Sequence, residues 1–174
     1  MSAIFERRSV RSFLPKPVEP EKIDRVLRAA FEAPSANNRR PWEFIVITSE
    51  EDRKDIAAMS PYAKMLPKAA AAIVPCANLT RLGKDGASDD SWWVQDLSAA
   101  TENILLQITE EGLGGVWLGW YPDKSRTSAF SARFGLPDHI IPFSVVAFGY
   151  PASPVKPATR FDSSLVYYGA YGKK

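Results

Sequence analysis

The stretch SWWVQDLSAATENILLQITEEG, residues 91–112, places apolar side chains at helical spacing on nearly every side of a helix. We predict a helix that begins at Asp90 or Ser91 and ends at Glu111, where Gly112 supplies a common stop signal. Its apolar positions are Trp93, Leu97, Ala100, Ile104, Leu105 and Ile108. A helix that is apolar on most sides has to be covered, so this one lies either in the centre of a domain or against a second subunit.

The segments around this helix alternate between shorter helices and apolar runs typical of strands. Helices are predicted over 21–32 and 122–134, and strands over 42–48, 70–77, 115–121 and 141–150. Pro75, inside the second of these strands, indicates a sheet edge or a strand end, because proline cannot donate to a ladder. The pattern predicts one α+β domain, residues 1–174. The chain beyond Pro151 has little core of its own and is expected to lie along another surface.

Composition narrows the class of protein. The chain has 174 residues, of which 45% are hydrophobic and 24% charged, as in an ordinary globular domain. A net charge of +2 argues against nucleic acid as a partner. The sequence lacks the roughly 18 consecutive apolar residues of a membrane span and an apolar signal core, so we expect a cytoplasmic protein with no membrane partner. The single cysteine, Cys76, cannot form an internal disulfide.

Side chains for acid, base or metal chemistry are scarce. His139 is the only histidine, and one histidine with one cysteine makes no credible zinc site, so no metal is expected. GLGG, residues 112–115, follows a helix and lacks the third glycine of a dinucleotide-binding turn. If the chain is an enzyme, a cofactor is expected to carry the reaction. The polar loop 80–91 is too short for a large lid, which indicates an open site.

A basic cluster lies near the start of the chain, in ERRSVRSFLP, residues 6–15. Its candidate binding residues are Arg7, Arg8, Ser9 and Arg11. These suit a phosphate group, since the guanidinium of arginine is a rigid fork of charged donors. A solvated basic turn and a kinase-type RRSV accessory site are the alternatives that this segment alone leaves open.

A second polar cluster, APSANNRRPWEF, residues 33–44, joins a predicted helix to a predicted strand. Its serine and asparagine side chains supply many hydrogen-bonding groups within a tight loop. Such a loop suits recognition of a planar heterocycle with alternating donors and acceptors.

Taken together, the motifs resemble those of the FMN-dependent nitroreductase family. That family begins with R-R-S-x-R, continues with P-S-x-x-N-x-Q-P-W and G-L-G-x-x-W-x-G, and closes with G-Y-P followed by Lys and Arg. The matching segments are RRSVR (7–11), PSANNRRPW (34–42), GLGGVWLG (112–119), GYP (149–151), Lys156 and Arg160. Each motif is weak alone, but their order and spacing extend over nearly the whole chain.

The resemblance implies an α+β fold with a central mixed or antiparallel sheet flanked by helices. It also implies a homodimer that binds FMN at its interface, with the C-terminal tail wrapping the dimer partner. By position, the phosphate and ribityl chain would be held by Arg7, Arg8, Ser9 and Arg11, and the phosphate also by Arg160. The flavin would be lined by Pro34, Ser35, Ala36 and Asn38 of the other subunit, with Lys64 near its pyrimidine edge. The backbone from Trp117 through Gly119 to Trp120 would run past the ring and present an N–H to N5.

The sequence departs from the family pattern at two places. Arg40 stands where the family usually has glutamine; it would favour an anionic reduced flavin or an acidic substrate group, or else it faces solvent. Gly119 and Trp120 occupy a stretch where some relatives carry a glutamate, which makes the pocket floor apolar. Trp120 and Tyr121 are therefore either platforms for an aromatic substrate or core residues.

The implied reaction is a ping-pong oxidoreduction. NADH or NADPH would reduce the flavin and leave, and a small-molecule acceptor such as a nitroaromatic or a quinone would then take the electrons. Two alternatives stay open from the sequence: a non-catalytic flavin-binding sensor or carrier, and a same-fold flavoenzyme with different chemistry, such as a dehalogenase or a dehydrogenase.

Overall fold

The structure, a computed structural model, describes residues 2–82, 92–156 and 158–173. Most of the predicted loop 80–91 and the predicted helix start at Asp90 or Ser91 lie outside the described residues. The helices are α1 (Ala3–Glu6), α2 (Pro20–Phe31), α3 (Glu50–Ala58), α4 (Trp92–Glu110) and α5 (Lys124–Phe134). The strands are β1 (Trp42–Ile47), β2 (Ala71–Asn78), β3 (Gly114–Gly119), β4 (Ile140–Pro142) and β5 (Ser144–Gly149).

These strands form one sheet in the order β1–β2–β5–β3, and the short β4 pairs with β2 beside β5. The ladders between them are antiparallel, with Phe44 opposite Pro75, Ile73 opposite Val146 and Val116 opposite Ala147. Both central strands, β2 and β5, are buried along their whole length. Strands with this burial are covered on both faces, so the predicted α+β fold with an antiparallel sheet flanked by helices is confirmed.

Successive side chains along the central strands point to opposite faces of the sheet, so the core consists of two layers. On one face, Val74 packs in a cluster with Ile56 of α3 and Phe130 of α5. On the other face, Ile73 packs in a cluster with Ile104 of α4 and with residues of α2. All six apolar positions predicted for α4 are buried within the single chain, where the helix lies against the sheet and α2.

The segment that follows α1 runs beside the outer edge of β3. Ser9 bridges Gly115 in a parallel sense, and the backbone N–H of Val10 donates to the carbonyl of Gly115 at 2.9 Å. A Cβ atom at Gly114 would lie 2.6–2.9 Å from three side-chain atoms of Val10, so glycine is what permits this approach. The contact covers part of an otherwise open strand edge and fixes the position of the basic cluster.

Three details differ from the sequence predictions. Pro75 lies inside a central strand, so the prediction of an edge or strand end was wrong. It faces the junction between β4 and β5, where the N–H of Phe143 donates to its carbonyl at 2.9 Å and the neighbouring ladder is interrupted. The predicted strand 141–150 is two strands broken at Phe143. Helix α3 was not predicted, although Ser49, whose side chain accepts from the N–H of Asp52, is a usual start signal.

The tail beyond Pro151 is almost entirely exposed in the single chain. Its most exposed large apolar side chains are Phe161, Leu165, Tyr168 and Tyr171. Among the described residues, hydrogen bonds attach it to the N-terminal segment: the N–H of Ala152 donates to the carbonyl of Ser12, and Arg8 Nη2 donates to the carbonyl of Ala158. The tail wrapping a dimer partner stays a prediction.

We expect Gly114→Ala to destabilise the protein, because its Cβ would overlap the Val10 side chain at a closely packed strand edge. Overpacking of this kind costs about 1–3 kcal/mol. Gly119→Ala in the same strand is the matched control, since no atom lies within 4 Å of its Cβ position. Urea unfolding followed by tryptophan fluorescence measures both variants. Equal loss of stability in the two would contradict the importance of the Val10 contact.

Candidate functional site

Three of the arginines predicted to bind phosphate line one cleft. Arg7 and Arg8, which follow α1, face Arg160 of the tail across a volume of about 390 Å³. Phe161 and the exposed Phe5 form apolar parts of the wall. This volume is within the range of small-molecule sites. The fold therefore brings together cations that are about 150 residues apart in the chain.

The guanidinium of Arg8 is held firmly within this cleft. Its Nη1 donates to the carbonyl of Arg7 at 2.6 Å, and its Nη2 donates to the carbonyl of Ala158 at 2.8 Å. Its Nε is buried and has no hydrogen-bond partner among the described residues. An unsatisfied buried donor costs about 1–3 kcal/mol, and an acceptor that reached this group would remove that cost. A bound anion such as a phosphate group fits this requirement.

Arg7 is positioned by an ion pair with α4. Its Nε lies 3.0 Å from Oε1 of Glu102, whose side chain is about half exposed. Solvent screens such a pair, so it orients Arg7 more than it stabilises the protein. No signal in the sequence identified Glu102 as a partner of the basic cluster.

Ser9 and Arg11 do not line the cleft with the other members of the basic cluster. Both are exposed on the segment that runs beside β3. The structure thus groups Arg7, Arg8 and Arg160 and leaves Ser9 and Arg11 on the adjacent surface.

The predicted flavin-lining residues share one loop that is attached to α4. The N–H of Ala36 donates to Oδ1 of Asp96 at 2.9 Å, and Asp96 is 93% buried. The hydroxyl of Ser35 accepts from the N–H of Arg40 at 3.0 Å, while Pro34 and Asn38 are exposed. Sequence reasoning missed Asp96, although a carboxylate within the apolar face of α4 was a usable signal.

Backbone strain is concentrated at the tip of this loop. Asn37, Asn38 and Arg40 have φ values of 51°, 54° and 49°. Asparagine tolerates this left-handed region, whereas for arginine it is uncommon and costs energy. The exposed Arg40 side chain folds back so that its Nε donates to Oδ1 of Asn38 at 2.8 Å. The loop therefore presents a cation that is oriented by a neighbouring amide.

The end of β3 combines an open backbone with buried rings. Gly119 is exposed, with empty space where a side chain would be, and its carbonyl accepts from Arg126 Nη1 at 3.1 Å. Trp117 is partly buried and packs edge-to-face on Phe143, with ring centroids 5.9 Å apart. Trp120 is completely buried and its indole N–H donates to the carbonyl of Arg126 at 2.9 Å. The ring of Trp120 is thus part of the core in the single chain.

Tyr121 and Lys64 are the remaining predicted site residues. Tyr121 is 39% exposed, and its ring packs edge-to-face on Trp93 with centroids 4.7 Å apart. Lys64 lies exposed in the turn before β2 and makes no hydrogen bond or ion pair within the described part of the chain. Both side chains are accessible to a ligand.

Two further kinds of catalytic group are potential metal ligands and the thiol of Cys76. Across residues 2–82, 92–156 and 158–173, no three His, Cys, Asp or Glu side chains are placed to hold a metal ion. Burial raises the pKa of the Cys76 thiol to about 12, so Cys76 stays protonated at neutral pH and is a poor nucleophile. None of the described helices has the length and apolar character needed to cross a membrane.

Comparison with known proteins gives the class to which this chain belongs. The family model for the nitroreductase family matches residues 4–73 and 60–150. Together these segments span most of the chain, which therefore belongs to the nitroreductase family. The resemblance found from the sequence motifs is confirmed.

Individual relatives agree with this assignment. A protein of Archaeoglobus fulgidus, provisionally named NADH dehydrogenase/NAD(P)H nitroreductase, is 44% identical over 87% of this chain and 84% of its own length. A crystal structure from Clostridium acetobutylicum, provisionally named NADH oxidase, is 40% identical with a TM-score of 0.91 and covers 98% of this chain and 100% of that one. A provisionally named nitroreductase of Desulfovibrio desulfuricans, solved in complex with FMN, is 25% identical with a TM-score of 0.81 over 97% and 95% of the two chains.

We expect Asp96→Ala to loosen the loop that carries Ser35, Ala36 and Asn38. The variant removes the charged acceptor of the Ala36 N–H, a hydrogen bond worth about 1–3 kcal/mol. Hydrogen exchange of residues 34–41 should accelerate, and the urea midpoint should fall. Gln95→Ala, the exposed neighbour on α4, is the control and should leave both unchanged. Unaltered exchange in Asp96→Ala would contradict the role of this carboxylate.

Proposed function

We propose that this chain is an FMN-dependent oxidoreductase that uses NADH or NADPH to reduce nitroaromatic, quinone or related small acceptors by a ping-pong mechanism. Membership of the nitroreductase family supports the class of reaction, and the nicotinamide-linked names of its relatives support the electron donor. NADH and NADPH are metabolites of the cell interior, so the proposal also places the protein in the cytoplasm.

The buried Nε of Arg8 is the observation that carries the proposal. It is an unsatisfied donor in a cleft that also contains Arg7 and Arg160, and phosphate oxygens are strong acceptors for such groups. The two carbonyls that already accept from Arg8 hold its guanidinium in place. The residues present therefore fit the phosphate end of FMN.

The side chains of this protein bind and orient, whereas FMN, when bound, supplies the hydride and electron-transfer chemistry. Arg7, Arg8 and Arg160 would neutralise the phosphate. The absence of a side chain at Gly119 would let the backbone at the end of β3 lie close to a planar ring. The loop anchored by Asp96 would cover the ring from the partner subunit and restrict access of water.

Arg40 and Tyr121 are proposed to contact the acceptor. The guanidinium of Arg40 lies at the loop surface, where Asn38 orients it. A positive charge there would favour acceptors that carry a carboxylate or sulfonate group. The exposed part of the Tyr121 ring would stack on an aromatic acceptor.

We expect Arg8→Met to weaken FMN binding by about 10- to 100-fold, since a hydrogen bond to a charged group is worth about 1.5–3 kcal/mol. Arg28→Met is the control, because Arg28 is exposed on α2 and pairs with Asp24. Flavin fluorescence quenching gives the dissociation constants, and anaerobic addition of NADH or NADPH should bleach the bound flavin. Unchanged affinity in Arg8→Met would refute the phosphate assignment. Bound flavin that neither nucleotide bleaches would indicate a sensor or carrier.

We also propose that the active form is a homodimer. The single chain exposes large apolar side chains on the helices that flank the candidate site, namely Ile4, Phe5, Phe31 and Trp92. The tail adds further exposed aromatic rings without any core of its own. Exposed apolar side chains in this number are typical of a surface that is covered by another protein, and a second copy would cover both sets.

We expect the wild-type chain to sediment as a dimer at micromolar concentration and Phe31→Glu to shift it toward monomer, because a charge would then be buried in the interface. Tyr62→Glu is the control: Tyr62 is similarly exposed but lies near Arg126 of α5, on the other side of the sheet. A wild-type monomer that binds FMN stoichiometrically would contradict the dimer.

A further inference from the structure

A second cleft, the Arg53 pocket, lies at the end of β1 that is opposite to loop 34–41. It is lined by residues 13–17, by Thr48, Glu50 and Arg53, and by residues 67–70, and it encloses about 610 Å³. None of the residues assigned to the flavin or the acceptor lines it. The length of β1, about 20 Å at the usual rise per residue, separates Thr48 from loop 34–41.

Arg53 is the unusual member of this lining. Its side chain belongs to α3, yet the residue is only 7% exposed. Nη1 donates to the carbonyl of Thr48 at 2.5 Å, whereas Nε is buried without a hydrogen-bond partner in the described part of the chain. Within the same residues no carboxylate forms an ion pair with Arg53. The charge of Glu50 favours the charged form of Arg53, but Glu50 forms no ion pair with it, so the buried guanidinium is only partly compensated.

The charges around Arg53 leave the pocket positive. Glu50 is the one acidic residue of the lining, and its Oε1 lies 2.7 Å from Nζ of Lys54, which compensates its charge. Lys16 lies 3.8 Å from Glu19 and over the ring of Tyr150. Lys68 is exposed at the pocket rim without a partner in the described residues. Burial lowers the pKa of Arg53, but a guanidinium stays charged at neutral pH.

The remaining walls of the pocket are apolar and stiff. Phe13 and Leu14 contribute apolar surface on one side, and Pro15, Pro17 and Pro67 fix the backbone around it. A phosphate group usually takes several charged or backbone donors held close together, whereas here Arg53 is the one buried cation and the two lysines of the lining, Lys16 and Lys68, are exposed. A ligand with one carboxylate and an apolar body matches both the single buried guanidinium and the apolar walls.

We propose that the Arg53 pocket binds a small organic carboxylate, with the carboxylate accepting from Arg53 and the apolar body lying against the proline-rich wall. This site is separate from the proposed flavin site and does not depend on it. The ligand would supply an acceptor and a counter-charge in direct contact with the guanidinium, which the described residues do not provide. Binding would therefore stabilise the protein by mass action.

Benzoate is the probe for this site. Benzamide is its uncharged counterpart and tests the need for the charge, and acetate is a carboxylate without the apolar body and tests the need for that body. Calorimetric titration of the full chain, with and without added FMN, should show saturable benzoate binding in the millimolar range expected of so small a ligand. Benzamide and acetate should each bind at least tenfold more weakly. Benzoate should also raise the melting temperature.

Arg53→Met should weaken benzoate binding at least tenfold and raise the melting temperature of the ligand-free chain, since it removes a buried charge that is only partly compensated. Arg53→Lys should retain part of the binding, and Arg28→Met should behave as wild type. FMN affinity should be the same in all of these variants. Equal binding of benzoate and benzamide, full benzoate binding by Arg53→Met, or no saturable benzoate binding by the wild type would each overturn the proposal.

Discussion

Complete burial of the two central strands is the constraint on which the rest of this structure depends. β2 and β5 have no exposed residue, so each face of the sheet has to be covered by helices. The pair α2 and α4 covers one face, and α3 and α5 cover the other. Because the interior is filled with apolar side chains, polar ligands can bind only at strand ends, at the β3 edge or in loops. The candidate site and the Arg53 pocket both occupy such positions.

Helix α4 has two roles that follow from this arrangement. Its apolar face packs on the sheet, which fixes the helix, and polar side chains along it then position parts of the site. Asp96 holds the N–H of Ala36, and Glu102 orients Arg7. In the proposed dimer, where the loop lines the flavin from the other subunit, each α4 would thus support the phosphate-binding cluster of one site and the flavin-lining loop of the other. This is the support that a precise binding site requires.

Arg8 and Arg53 present the same physical situation in two places. Each guanidinium donates to at least one backbone carbonyl, each has a buried Nε without an acceptor among the described residues, and each lines a cleft. An unsatisfied charged donor lowers the stability of the folded chain, and an anionic ligand that accepts from this donor restores stability on binding. For Arg8, the nitroreductase family suggests which anion this is. For Arg53, the apolar surroundings indicate an organic carboxylate.

The sequence left open whether the sheet is mixed or antiparallel and whether α4 is covered by its own chain or by a second subunit. By itself it determined the α+β class, the apolar character of α4 and membership of the nitroreductase family. These depend on apolar periodicity and on ordered motifs, which are local properties of the chain. Helix α3 was missed even though Ser49 marks its start, since the helix has a weak apolar pattern that gives little periodic signal.

Only the tertiary structure decided which side chains meet. The sequence predicted a sheet edge or a strand end at Pro75. The break between β4 and β5 instead allows this proline within a central strand. The sequence left open whether Trp120 is a platform for an aromatic substrate or a core residue. In the folded chain its ring is completely buried. The partners of Arg7, Ala36 and Arg8 lie 60 to 150 positions away in the chain. Contacts at that separation depend on how the layers pack and leave no local pattern, so the sequence cannot state them.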